Sequence, residues 1–207
     1  MDVNIILFPD FETLDVFGPV EMLGHLEEYH LNFLSIKGGL IKSRQNLEVM
    51  TKPIDTKNYS GILVLPGGQG TRTLVEDLGF IEFMKQLAQS SDYCLTVCTG
   101  SALLAKTGLL NGRKATSNKK AFAWVESVNP QVKWVSAARW VVDGIYYTSS
   151  GVSAGMDMTL GFIADRFGTG KAREIADSTE YQWSEDKDKD PFSKNNENSN
   201  KTPVKSV

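Results

Sequence analysis

Three short apolar runs constrain the fold more than any other feature of the chain. Val3–Phe8 (VNIILF), Gly61–Leu65 (GILVL) and Tyr93–Val97 (YCLTV) are each closed by turn chemistry. Pro9-Asp10 follows the first, Pro66-Gly67-Gly68 the second and Cys98-Thr99-Gly100 the third. Runs that stay apolar instead of alternating suit strands buried on both faces, as in a parallel sheet covered by helices. Leu31–Lys37 alternates and predicts a further strand, ended by Gly38-Gly39. Leu14–Leu26 reads as helical, with Leu14, Phe17, Met22 and Leu26 facing inward. Gly18-Pro19 predicts a break there, with the helix restarting at Pro19. Further helices are expected near Thr71–Glu76, Phe80–Gln89, Ser101–Leu110, Ala121–Val128, Ser153–Phe167 and Lys171–Tyr181. Trp140–Thr148 predicts a hairpin around Asp143-Gly144. This alternation of strand and helix predicts an α/β fold, a mostly parallel sheet sandwiched by helices.

Composition narrows the function. The 207 residues carry a net charge of −3, so no strong basic field exists to hold nucleic acid. Two cysteines, Cys94 and Cys98, and two histidines, His25 and His30, exclude a disulfide framework and a zinc site of the usual Cys/His kind. No apolar run approaches the length needed to cross a bilayer. With no secretory signal at its start, the chain is read as cytoplasmic. From Ser184 the composition turns polar, with Phe192, Val204 and Val207 the only large apolar residues. Residues 1–183 are therefore expected to form one domain and 184–207 a largely disordered tail, with Asp190-Pro191-Phe192 as the point where it docks before fraying.

The segment Tyr93–Leu104 (YCLTVCTGSALL) carries the chemistry. A buried strand runs into Cys98 and then, through Thr99-Gly100-Ser101, into a helix. A side chain at such a corner points to the opening beyond the strand ends. Free N–H groups at the helix start favour thiolate at Cys98 and could hold an oxyanion, so its pKa is expected below the ordinary thiol range. Gly100 allows backbone or substrate to come close. The competing reading is a buried, inert cysteine. Cys94, in mid-strand, fits that bland reading, and the two cysteines lie too far apart along one strand to pair. Gly67 and Gly68 close a second buried strand, and in a parallel sheet their N–H groups could complete an oxyanion pocket with that of Thr99. Alternatively they form a plain strand-to-helix turn.

Cysteine catalysis often uses a histidine. Here His25 and His30 flank a surface stretch, and Thr99 follows the cysteine. Asp15 is the better proton carrier, since apolar neighbours raise a carboxyl's pKa; its bland reading is a helix cap. Asn118 and Trp124 are candidate pocket neighbours, whereas Trp134 and Trp140 are expected to pack the sheet.

Five segments occur in order: Leu14–Pro19 (LDVFGP), Pro66–Gly68 (PGG), Val97–Ser101 (VCTGS), Gly108–Thr116 (GLLNGRKAT) and Ser150–Asp157 (SGVSAGMD). Over about residues 3–192 they resemble the ThiJ/PfpI superfamily, and within it most of all the isocyanide hydratase branch. The resemblance implies a flavodoxin-like, glutamine-amidotransferase-like α/β fold, no cofactor, a small-molecule substrate and a homodimer with sites close to the interface. It implies that Cys98 is the nucleophile, Asp15 the carboxyl beside it and Thr99 a donor in place of the peptidase branch's histidine. Gly67, Gly68, Gly100 and Asn118 are then the oxyanion and substrate-binding positions. One departure stands out: Asn118 occupies a place where the family usually has histidine, which argues against Cys-His peptidase chemistry. The expected activity is a cysteine hydratase or hydrolase. Its rivals are a ligand or redox sensor, like the N-terminal domains of AraC-type regulators, and a dicarbonyl-handling protein.

Overall fold

The computed structural model describes residues 1–56 and 59–193. In chain order the elements are β1 (Asp2–Ile6), α1 (Thr13–Gly24), β2 (His30–Ser35), β3 (Gly39–Lys42), β4 (Glu48–Pro53), β5 (Ile62–Leu65), α2 (Thr71–Leu74), α3 (Leu78–Gln89), β6 (Tyr93–Thr96), α4 (Gly100–Lys106), β7 (Lys114–Ala115), α5 (Phe122–Val128), β8 (Lys133–Trp134), β9 (Trp140–Asp143), β10 (Tyr146–Ser149), α6 (Ala154–Phe167) and α7 (Thr169–Ser178). Eight strands form one sheet in the order β3-β4-β2-β1-β5-β6-β10-β9. Its outermost pairs, β3 with β4 and β9 with β10, are antiparallel, and the pairs between are parallel. The apolar runs become β1, β5 and β6 in the centre, where every residue of β5 is buried. Helices cover this sheet, and its mostly parallel order is the α/β arrangement the sequence predicts.

From β1 the chain passes to β2 on one side, while β5 lies on the other. In open α/β sheets a crevice forms at such a reversal, outside the carboxyl ends of the strands. The segments after β1, β5 and β6 meet there, and they carry Asp15, Gly67 and Cys98.

α1 differs from the sequence expectation, because it runs unbroken through Gly18-Pro19. Proline in a helix removes one hydrogen bond, here the one that would end on the carbonyl of Asp15. Tertiary packing offsets that loss. A Cβ on Gly18 would stand 2.7 Å from Cγ of Met156, so the missing side chain lets α1 press against α6. Met22 and Leu23 on the same helix are at most 2% exposed, and each such burial contributes roughly 1.5–3 kcal/mol.

Packed chain continues past the composition change at Ser184. Asp190 is 2% exposed, and its N–H donates to Ala137 O at 2.8 Å. The Lys187 carbonyl accepts from the N–H groups of Arg139 and Trp140 at 2.8 and 3.2 Å. Polar residues dock here because buried charges receive them, with Asp190 carboxylate oxygens 3.7 Å from both Lys119 and Arg139. The remainder of the expected tail, residues 194–207, lies outside the described residues.

Candidate functional site

β6 ends at a strained corner. Cys98 has φ 56°, a left-handed conformation that costs a non-glycine residue on the order of 1–3 kcal/mol. The surroundings hold it there. Its N–H donates to Ser150 O at 3.0 Å, and its carbonyl accepts from the hydroxyls of Ser117 at 2.8 Å and Ser101 at 3.0 Å. Gly100 lets α4 start close behind. A Cβ there would lie 2.3 Å from Leu65 O and 2.8 Å from Pro66 O. Its place is thus against the end of β5, and it does not line the cavity over the cysteine.

Asp15 reaches the same point from the first turn of α1. Its carboxyl is fully buried and interacts with the Cys98 side chain. Oδ2 accepts from Gly67 N–H at 2.9 Å, while Oδ1 has no hydrogen-bond partner among the described residues. Burial raises the Asp15 pKa to about 7, with the Gly67 N–H opposing. Oδ1 is then the natural seat for a proton. Cys98 moves in the direction opposite to the sequence expectation. Burial pushes its thiol up, the neighbouring Asp15 charge adds to this, and the N–H groups of Thr99 and Val152 recover only part. Burial is the quantity that a strand-turn-helix pattern does not reveal, and here it outweighs the helix start. The two groups titrate as a pair. Cys94, fully buried in mid-strand with its Sγ 3.6 Å from Ala88 O, is pushed up to about 12 by burial and stays outside the site.

The glycine turn after β5 serves the pair differently from the expected oxyanion donors. Gly67 N–H is committed to Asp15, and Gly68 N–H to Thr99 Oγ1 at 3.1 Å. The Thr99 hydroxyl also lies 3.0 Å from that of Thr71. These bonds lock acid, turn and elbow together. A Cβ on Gly67 would stand 2.5 Å from Thr99 N and 2.9 Å from Asp15 Oδ2. Gly67→Ala should therefore cost about 1–3 kcal/mol of stability, measured by denaturant unfolding, as overpacking does elsewhere.

Cys98 is 7% exposed, at the floor of a cavity of about 280 Å³. Thr99, Gly68 and Asn118, which the sequence singles out, line it together with Val152, which the sequence does not. Asn118 Oδ1 accepts from the N–H groups of Lys120 and Ala121, which fixes the wall beside the cysteine. Trp124 sits one step away, beneath the guanidinium of Arg72 at 3.3 Å from the ring centroid. Trp140 is buried in β9, and Trp134 packs against Phe122. His25 and His30 are exposed and do not line the cavity. The sequence reading missed Arg72, Ser117 and the N–H of Val152. Only the position of Arg72 after the glycine turn could have signalled it. Among the described residues, no three His, Cys, Asp or Glu side chains gather so as to hold a metal ion.

The chain is 28% identical to an isonitrile hydratase of Pseudomonas putida over 186 residues, covering 87% of this chain and 78% of that one. It is 26% identical over 185 residues to the HTH-type transcriptional regulator CdhR of Pseudomonas aeruginosa, and spans only 54% of that longer protein. Among solved structures, a ThiJ/PfpI family protein from Pseudomonas syringae superposes with a TM-score of 0.75 at 26% identity, covering 87% of this chain and 75% of that one. The DJ-1/PfpI family model matches residues 1–165, which takes in the strands, the elbow and Asp15, and the chain belongs to that family.

Proposed function

We propose that the protein is a cofactor-independent cysteine hydratase that converts isocyanides to N-substituted formamides. The observation that carries this reading is a fully buried carboxyl, able to hold a proton near neutral pH, beside the sulfur of a strained elbow that opens into a small cavity. No histidine lines that cavity, so the acid is the group placed to move protons. The resemblance to an isonitrile hydratase supports isocyanides as the substrate class.

The reactive state holds one proton between Asp15 and Cys98. Sulfur attacks the terminal isocyanide carbon and forms the C–S bond. Asp15 delivers the proton to that same carbon, which leaves a thioimidate on Cys98. Water then adds across the C=N bond, its oxygen to carbon and one hydrogen, relayed through Asp15, to nitrogen. The C–S bond breaks, the electron pair returns to sulfur, and the remaining hydroxyl proton goes to Asp15. The net change is one isocyanide plus one water to one formamide. The N–H groups of Thr99 and Val152 face the sulfur and steady its charge.

Incubation of the purified protein with alkyl isocyanides, one neutral and one bearing a carboxylate, should yield the formamide by NMR; absence of turnover on both would overturn this reading. The pH dependence has a definite sign. Below about pH 7 the pair carries two protons, and sulfur has no base. As the pH rises through about 7 one proton leaves, so kcat/KM should climb and level off. A profile that falls across this range would contradict the roles given to the pair.

We place the working enzyme in the cytoplasm as a homodimer. Both cysteines are free, as a thiol nucleophile requires, and reduced thiols persist in that compartment. Among the described residues no helix is long and apolar enough to cross a membrane. For the dimer, Leu40 and Met50 pair across β3 and β4 and stay 60% and 67% exposed, an apolar face that a second copy would cover. The resemblance to CdhR supports a second reading, a ligand sensor. A ligand that raises Tm without being turned over would favour it.

A further inference from the structure

The charge of the cavity over Cys98 runs against that of the whole chain. The chain carries a net −3, yet exposed Arg44 and Lys120 and half-buried Arg72 line this space against the carboxylate of Glu12 and the one negative charge of the Asp15–Cys98 pair at its floor. None of the three cations is ion-paired among the described residues. Glu12 is occupied instead by Gln45, whose Nε2 donates to Oε1 at 2.6 Å. Arg72 is held in place by the Trp124 face. Its guanidinium is partly buried and feels the field of Cys98. Unpaired cations around a small recess concentrate anions there. A neutral substrate would leave all three without a partner, whereas a carboxylate offers two acceptor oxygens matched to a guanidinium.

We infer that the Cys98 cavity selects a small electrophile that carries a carboxylate, held by Arg72, Arg44 and Lys120 while the reacting carbon meets the sulfur. The inference rests on Cys98 being the reacting group, as proposed above, and it narrows the substrate from isocyanides in general to anionic ones. A second cavity of about 310 Å³ shares Asn118, Lys120 and Val152 with the first and reaches Phe192. An apolar remainder of the substrate has room there.

Iodoacetate and iodoacetamide test this directly. Both alkylate sulfur at the same carbon with loss of iodide, and they differ in charge at nearly equal size. Each reacts with the same thiolate, so the ratio of their rates cancels the protonation state of Cys98. With labelling at Cys98 followed by peptide mass spectrometry, the iodoacetate-to-iodoacetamide ratio should exceed that of free glutathione by roughly tenfold at low salt. It should fall toward the glutathione value in about 0.5 M NaCl, where charges are screened within a few ångströms. Arg72→Gln and Lys120→Gln should each lower the ratio several-fold. A ratio equal to that of glutathione and indifferent to salt would overturn the inference, as would a protein in which neither reagent reaches Cys98. The outcomes separate from those of the hydratase reading. Neutral isocyanides turned over with a flat ratio sink only the anion pocket. A strong iodoacetate preference without any isocyanide turnover sinks only the hydratase.

Discussion

The Cys98→Ala protein should leave an alkyl isocyanide unconverted, with kcat/KM lower by on the order of 10⁴–10⁶, as losses of a nucleophile run in other covalent enzymes. No second cysteine can substitute, since Cys94 is fully buried in mid-strand with its thiol pushed up to about 12. Asp15→Asn should cost about 10²–10⁴, the usual span of a general acid–base group. An asparagine keeps the acceptor for Gly67 N–H at Oδ1 or its equivalent but can neither take the thiol proton nor return it. The double variant should be hardly worse than Cys98→Ala alone, because the two act in one chemical unit. Formamide formation followed by NMR reads all three. Folding is the control. Asp15 buries an oxygen without a partner, so its replacement should not lower the melting temperature. Retention of more than about a tenth of the activity in Cys98→Ala would remove the nucleophile from the scheme.

Legibility from the sequence followed burial and locality. β1, β5 and β6 could be read because strands buried on both faces leave apolar runs, and the elbow because strand, cysteine, glycine and helix are contiguous. α1 was misread at Gly18-Pro19 because a local breaker rule carries no knowledge of Met156, which is far away in sequence and adjacent in space. β3 and β4 left no signal, since most of their residues are exposed and their apolar residues form no run. The residues that meet at the site were legible in their segments, and so was the raised Asp15 pKa, but the direction at Cys98 was not. The direction of the Cys98 shift is decided by burial and by a carboxyl from another element. Arg72 joins the cavity through a stack on Trp124, a contact between a residue after β5 and one in α5 that no spacing encodes.

The packed chain runs past Ser184 and through the docking point expected at Asp190-Pro191-Phe192, and the charges that hold it set the second large expectation. Asp157, fully buried in α6, accepts from Arg139 Nε at 2.6 Å, from the Tyr181 hydroxyl at 3.0 Å and from Ser184 N–H at 2.9 Å. Its own carbonyl accepts from Trp183 Nε1 at 3.1 Å. Burial pushes this carboxyl above its ordinary range even with Arg139 beside it, so desolvation outweighs pairing. Under that condition the intact pair adds little net stability, while removing one partner strands the other charge in a low-dielectric interior. Asp157→Ala should therefore destabilise the protein by about 3–5 kcal/mol in denaturant unfolding and loosen the stretch from Tyr181 to Ser193. Asp157→Asn should cost less, because its amide oxygen can still accept from Tyr181 and Ser184. The combination Asp157→Asn with Arg139→Met should cost less than the sum of its singles, since neither charge is then left alone. Strict additivity would mean that the two residues are not coupled and that the segment is held by its backbone bonds instead. Protease cleavage within residues 181–193, faster in Asp157→Ala than in Asp157→Asn, would locate the loss at this seam.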